Sequence, residues 1–211
     1  MPFYIFVSGS VGVGKSTIIQ FLTRTFKKNV FYVKEFIDFD PQGEKKLNDY
    51  LANKDTALQF QHYILDCYRM QFDSFQCKYS DICLIERHPE ENLIFVKNQL
   101  TTKELDTLET ATKDLLKRYN IPSLSEIDEV IFNFDSPTMM ENVAKLLDFL
   151  NERIQNYSST EKNKKKTCVR IRVECSEETQ LKRIRNRGRG SDNYYLQNKE
   201  YLKTINKLYS N

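Results

Sequence analysis

Residues 3–16 read FYIFVSGSVGVGKS, and this stretch decides the fold. Phe3 to Ser8 is a short, mainly apolar run, as a strand buried in a parallel sheet would be. From Lys15 to residue 27, Ile18, Leu22 and Phe26 recur every four residues, with Ile19 and Phe21 widening the stripe; that spacing predicts a helix. Between them Gly9-Ser10-Val11-Gly12-Val13-Gly14-Lys15-Ser16 matches G-x-x-x-x-G-K-[ST]. Only six glycines occur in the chain, and three of them, Gly9, Gly12 and Gly14, fall inside this loop.

A glycine loop between a strand and a helix lets the backbone wrap closely around phosphates, with amides and the helix N-terminus supplying positive potential. Gly9 to Thr17 is therefore the expected binding segment for a nucleoside triphosphate. Lys15 is expected to reach the β- and γ-phosphates, and Ser16 to help hold Mg²⁺.

Working outward, strand and helix signals alternate. Val30-Phe31-Tyr32-Val33 leads into Lys34-Glu35, residues 43–79 read mainly as helix, and Ile82-Cys83-Leu84-Ile85 ends at Glu86-Arg87. Helices are expected at about 90–99 and 102–119. A strand candidate covers 130–134, followed by a helix over 138–155. Asn156 to Lys166 (NYSSTEKNKKK) is polar and low in complexity, so it reads as an exposed loop with a solvated lysine run. Residues 168–174 alternate as a strand, Ser176 starts a helix to about Asn186, and a last helix covers about 195–209. The expectation is one α/β domain over 1–211, with a parallel sheet of about five strands flanked by helices.

With 211 residues, 40% hydrophobic and 29% charged, the chain has the make-up of a soluble globular protein rather than a disordered one. The longest apolar runs are about six residues against the ~20 needed to span a bilayer, and no signal-peptide pattern opens the chain. A cytoplasmic location without a membrane partner is expected. Net charge is only +3, too small to demand a nucleic-acid partner. Five cysteines without a CxxC pair suggest reduced thiols rather than zinc. No N-K-x-D motif follows a strand, which disfavours a GTPase. A hydrolytic motor would end a strand in paired acids, whereas here one acid precedes a base. Glu86-Arg87 suits transfer to a small acceptor, with Glu86 near Mg²⁺ and Arg87 near the transferred group.

At this point the residues resemble the deoxynucleoside kinase family, which includes cellular deoxynucleoside kinases and herpesvirus-type thymidine kinases. The resemblance covers most of 1–100 and again about 168–205. It implies a P-loop kinase fold with an arginine-rich lid at about 183–195, a homodimer, and ATP with Mg²⁺ phosphorylating a deoxynucleoside at its 5′-hydroxyl. By the same resemblance Glu35, just after the second strand, is the catalytic carboxylate, beside Lys15 and Arg87. Glu86-Arg87-His88-Pro89 matches the strand-three motif in its herpesvirus form, and His88 itself reads as structural. Gln61 stands where the family reads the base, and Tyr50, eleven residues earlier, where it contacts the sugar 3′-hydroxyl. Arg183, Arg187 and Arg189 match the lid pattern, with Asp192 expected to join Tyr50 at the sugar.

Enzymes of the family that prefer deoxycytidine or purines carry an arginine seven residues after the glutamine and an aspartate five after the strand-three arginine. Here those positions are Tyr68 and Asn92, which implies a pyrimidine, thymidine favoured, between Ile64 and Phe95. A one-residue offset could instead pair Arg69 with Glu91 at the base. Two departures bear on the fold. The family usually adds a strand after the post-lid helix, where this sequence stops, whereas residues 128–155 supply an extra strand and helix before the lid and are expected to provide the fifth strand. The alternatives are a thymidylate-type monophosphate kinase and a P-loop binding protein without turnover.

Overall fold

The opening apolar run becomes β1 (Phe3–Ser8), buried along its whole length. In the computed structural model, which describes residues 2–26, 28–159 and 168–210, β1 is the middle of a five-stranded sheet. It pairs in parallel with β3 (Ile82–Glu86) on one side and β5 (Cys168–Glu174) on the other. Outside these lie β2 (Val30–Val33) against β3 and β4 (Asp128–Asn133) against β5, again in parallel. The order is β2-β3-β1-β5-β4. The expected insertion thus supplies the fifth strand, at the edge. In such a sheet the carboxyl ends of the strands form the crevice that binds ligands.

Alternate residues of β1 face two different helix layers. Phe3, Ile5 and Val7 pack with Ile18, Ile19 and Leu22 of α1 (Lys15–Thr25) and Leu146, Leu150 and Ile154 of α8 (Met139–Ser159). Tyr4 and Phe6 face Leu65, Tyr68 and Phe72 of α4 (Ala57–Phe72) and Leu108, Leu115 and Leu116 of α7 (Thr102–Tyr119). Leu22 and Leu65 are both fully enclosed, so alanine at either costs about 2–5 kcal/mol through lost transfer energy and a cavity. Among the described residues no helix is long and apolar enough to cross a membrane.

Several boundaries differ from the sequence expectation. The 43–79 helix is three, α3 (Gly43–Ala52), α4 and α5 (Phe75–Lys78), because Asn53 is extended and its side chain accepts from Asp55 N to cap a short 3₁₀ turn. The helix after Pro89 shrinks to α6 (Asn92–Val96), and α1 stops at Thr25 because Phe26 is extended. The strand expected at 130–134 is the longer β4, and α8 runs on to Ser159, through the start of the expected loop; the lysine run lies outside the described residues. After α9 (Glu177–Arg187), the last helix is two, α10 (Asp192–Gln197) and α11 (Lys199–Ser210), parted at Asn198.

Candidate active site

The glycine loop sits at the carboxyl end of β1, as its position in the sheet dictates. Gly14 has φ 106° and lies against the Phe134 ring and Arg183, where a Cβ would approach to 2.6 Å; the left-handed backbone and the crowding both call for glycine. Two side chains of α9 hold the loop from outside. Gln180 donates to the Val11 carbonyl at 2.6 Å and Arg183 to the Val13 carbonyl at 2.5 Å. Lys15, 5% exposed, donates to the Ser10 carbonyl at 2.9 Å and lies 3.7 Å from Glu86 Oε1. Burial and the neighbouring Arg87 pull its ammonium down to about 8, against the opposing pull of Glu86.

β3 delivers the two adjacent residues of the acid-base pair to different neighbours. Glu86 accepts from Tyr32 hydroxyl at 2.7 Å and from Ser16 hydroxyl at 3.4 Å. Burial, then the charge of Glu35, raises its carboxyl above the ordinary range. Arg87 turns the chain at φ 67°, a conformation that costs a non-glycine residue about 1–2 kcal/mol and is uncommon. The Tyr68 hydroxyl, 3.1 Å from the carbonyls of both Glu86 and Arg87, holds that turn. The turn aims the guanidinium back under the glycine loop, where Nη1 donates to Gly9 carbonyl at 2.8 Å and Nε to Glu35 Oε1 at 2.9 Å.

Glu35 reaches that spot because Gln71 pins its predecessor. The Gln71 side-chain amide accepts from Lys34 N at 2.8 Å and donates to Lys34 carbonyl at 2.9 Å, continuing the strand pattern past β2. Glu35 then stands at the N-terminus of α2 (Phe36–Phe39) without capping it, which leaves its carboxylate for Arg87. Burial pushes that carboxyl up, but Arg87 and Lys15 outweigh it and hold it at about 2. His88 is buried with both ring nitrogens bound: Nε2 donates to Pro122 carbonyl and Nδ1 accepts from Glu90 N, at 3.1 and 3.2 Å. Burial pulls its imidazole down to about 3, so it is a neutral structural group.

These residues open on a cavity of about 300 Å³ whose wall includes Lys15, Ser16, Thr17, Glu35, Glu86 and Arg87 at the phosphate end. Tyr50, Gln61, Ile64, Tyr68, Asn92 and Phe95 line the same cavity. Gln61 Oε1 and Asn92 Nδ2 are buried there without a hydrogen-bond partner. The Tyr50 hydroxyl donates to Gln99 Oε1 at 2.9 Å. Arg69 does not join them. It is half exposed and pairs with Asp66 at 2.9 Å, while Glu91 is fully buried elsewhere.

The lid reaches over this cavity from α9 and α10, bringing Arg183, Arg187, Arg189 and Tyr195 to its wall. Arg189 pairs with Asp38 at 2.7 Å and Gly190 N donates to Glu44 at 2.6 Å, so the lid touches α2 and α3 on the far side. Asp192 departs from its expected place. Its carboxylate is buried on the lid's own Arg187 and on Arg189 N, off the cavity wall, because the turn at 188–191 folds it back onto those donors. Tyr32, Gln71, Gln180, Glu91 and Tyr209 support the site but carry no motif; only the polar residues facing inward on β2 and α4 hinted at any of them.

Residues 5–154 match the family described as deoxynucleoside kinase. No curated protein matches the chain. Solved structures of similar fold include deoxyadenosine kinase from M. mycoides with bound dATP, 22% identical, with a TM-score of 0.56 over 98% of this chain and 82% of that one. A second structure of that kinase, with products dCMP and a flexible dCDP bound, gives 22% identity and a TM-score of 0.58 over 98% and 81%. With phosphate loop, strand-end acid and base, and lid arranged around one cavity, and most of the chain matched, this protein belongs to the deoxynucleoside kinase family, as an ATP-dependent nucleoside phosphotransferase.

Proposed function

We propose that the chain transfers the γ-phosphate of ATP to the 5′-hydroxyl of a pyrimidine deoxynucleoside, with thymidine favoured. The observation that carries the base preference is the surface pairing of Arg69 with Asp66, which keeps Arg69 off the cavity wall. The polar groups on that wall include the amides of Gln61 and Asn92. Gln61 Oε1 would accept from thymine N3–H while its Nε2 donates to O4. Ile64 and Phe95 flank the ring, and Tyr68 contributes its ring face because its hydroxyl is taken by the strand-three turn. The M. mycoides kinase structures hold dATP in one case and dCMP with dCDP in the other, so the neighbour's name does not decide the base.

In this reading Glu35, ionised at any working pH, accepts the 5′-hydroxyl proton as that oxygen bonds to the γ-phosphorus and ADP leaves. Arg87 orients the hydroxyl and neutralises developing charge, and Lys15 holds the β- and γ-phosphates. Arg183, Arg187 and Arg189 close over them, each with a planar fork suited to phosphate oxygens. Tyr50 contacts the sugar, and Asp192 acts there only through Arg187. Ser16 and Glu86 would hold Mg²⁺. A hydroxyl and a carboxylate oxygen 3.4 Å apart suit a hard cation that keeps phosphate and water as its other ligands, and a divalent charge would relieve the raised carboxyl of Glu86. The reading includes a homodimer in the cytoplasm, without nucleic acid or membrane.

The test is ATP consumption with each deoxynucleoside and each monophosphate, followed by competition at equal concentrations. Thymidine should show the highest kcat/KM. A higher value for deoxyadenosine or deoxyguanosine sinks the base preference, and turnover with thymidylate alone would make the chain a monophosphate kinase.

A further inference from the structure

We infer that Tyr209, on α11, is a positioning residue: its hydroxyl stands between Arg87 and the buried carboxylate of Glu91 and keeps the guanidinium turned toward Glu35. The inference rests on the role of Arg87 proposed above.

Nothing in the family motifs points to residue 209, which lies outside the matched segment 5–154. The side chain is nevertheless buried beneath the site. Its hydroxyl donates to Glu91 Oε2 at 2.6 Å and accepts from Arg87 Nη1. The two protons of Nη1 are thereby accounted for, one on Gly9 carbonyl and one on Tyr209, while Nε serves Glu35. Among the described residues Nη2 is then the nitrogen left for a substrate oxygen. Glu91 is completely buried and held by Ser8 hydroxyl and His88 N, with Arg170 at 3.9 Å.

Glu91 Oε2 is also 3.8 Å from Arg87 Nη1. In a buried site a guanidinium left to choose between two carboxylates can swing to either. Glu91 is fixed in place, so without an intervening group Arg87 would move toward it and away from Glu35. Tyr209 prevents this by supplying the acceptor that Nη1 needs while passing its own proton to Glu91 as a hydrogen bond.

The hydroxyl is not what holds α11 in place. Leu202 and Ile205 are buried, Arg172 donates to the Tyr209 carbonyl at 2.9 Å, and Asn206 exchanges hydrogen bonds with Gln180, the residue that grips the glycine loop. Removing one oxygen therefore leaves the fold intact and the role testable.

Tyr209→Phe should lower kcat by about 10- to 100-fold, the scale of a small misplacement at the reacting centre, with KM for nucleoside and ATP changed less than about threefold. In an Arg87→Lys background, where Nη1 is gone, the same substitution should change kcat by less than about twofold. The acidic limb of kcat should also move to higher pH, since a loosened Arg87 holds Glu35 ionised less strongly. A second measurement is independent of turnover: exchange of the Arg87 Nε–H, read by ¹⁵N NMR, should speed by about tenfold or more in Tyr209→Phe as its bond to Glu35 loosens. An unchanged kcat, an equal loss in the Arg87→Lys background, or an unchanged exchange rate would each overturn the inference. Absence of acceptor-dependent ATP consumption by the unaltered chain would instead defeat the proposed function, and the NMR measurement would still decide what Tyr209 does.

Discussion

Arg87 and Arg189 are both expected to meet phosphate, yet the protein holds them in opposite ways. Arg87 is 5% exposed, fixed by a strained turn, and bonded through Nε and Nη1 to Glu35, Gly9 and Tyr209. The Arg189 side chain is a quarter exposed and makes one ion pair, to the exposed Asp38. The first is placed before substrate arrives. The second rests on a surface pair worth about 0–1 kcal/mol, which is readily exchanged for a phosphate. One site therefore divides its cations into a fixed set, paid for by burial and strain, and a movable set that costs little.

The division can be broken from the fixed side first. Lys15→Ala removes the charge facing the β- and γ-phosphates and should abolish turnover; acceptor phosphorylation persisting in a folded variant would unseat the phosphate-loop assignment. Glu35→Gln keeps size but cannot take a proton, so kcat should fall by about 10²–10⁴ while nucleoside binding, read by calorimetry, stays close to wild type. A kcat within about threefold of wild type would remove Glu35 from the mechanism.

Acid and base limbs sharpen the same contrast. Lys15 must be charged, and in the free protein its ammonium is pulled down to about 8. Raising pH through that value should therefore lower kcat/KM for ATP, while the ionised Glu35, held at about 2, produces no loss between pH 5 and 7 by the ordinary ~1-unit reach of a titration. A flat profile through pH 9 would mean the lysine is not the titrating group. On the movable side, Arg189→Ala should cost about tenfold or less and fall mainly on KM for ATP, with a weaker dependence on salt. A loss as large as that of Glu35→Gln would show that the lid arginine belongs with the fixed set.

How far the sequence could be read follows the same line. The glycine loop, the 102–119 helix and the 168–174 strand were legible because each is written in consecutive residues or one clear period. Glu35, Gln61 and Arg87 were legible through motif spacing and do line one cavity. The breaks at Asn53 and Asn198 were hidden because the hydrophobic stripe continues across them while the local backbone does not. The Ser8, Glu91 and Tyr209 contacts were not legible at all. They join residues 83 and 118 positions apart, and only the folded sheet brings them together. Asp192 misled because its spacing from the lid arginines is what a sugar ligand needs and equally what an ion pair across the turn between α9 and α10 needs.

The strand order carries a consequence for how the chain is made. β1, β2 and β3 are all available once residue 86 has been synthesised, and these three pair with one another. β4 pairs only with β5, whose last residue, Glu174, emerges 174 − 133 = 41 residues after the end of β4. At about 5–20 residues per second that wait is roughly 2–8 seconds. During it β4 and α8 have been made but β5, the strand that joins β4 to the central β1, has not. A nascent chain stalled in that interval therefore presents an unpaired strand and half a hydrophobic layer, both within residues 128–159.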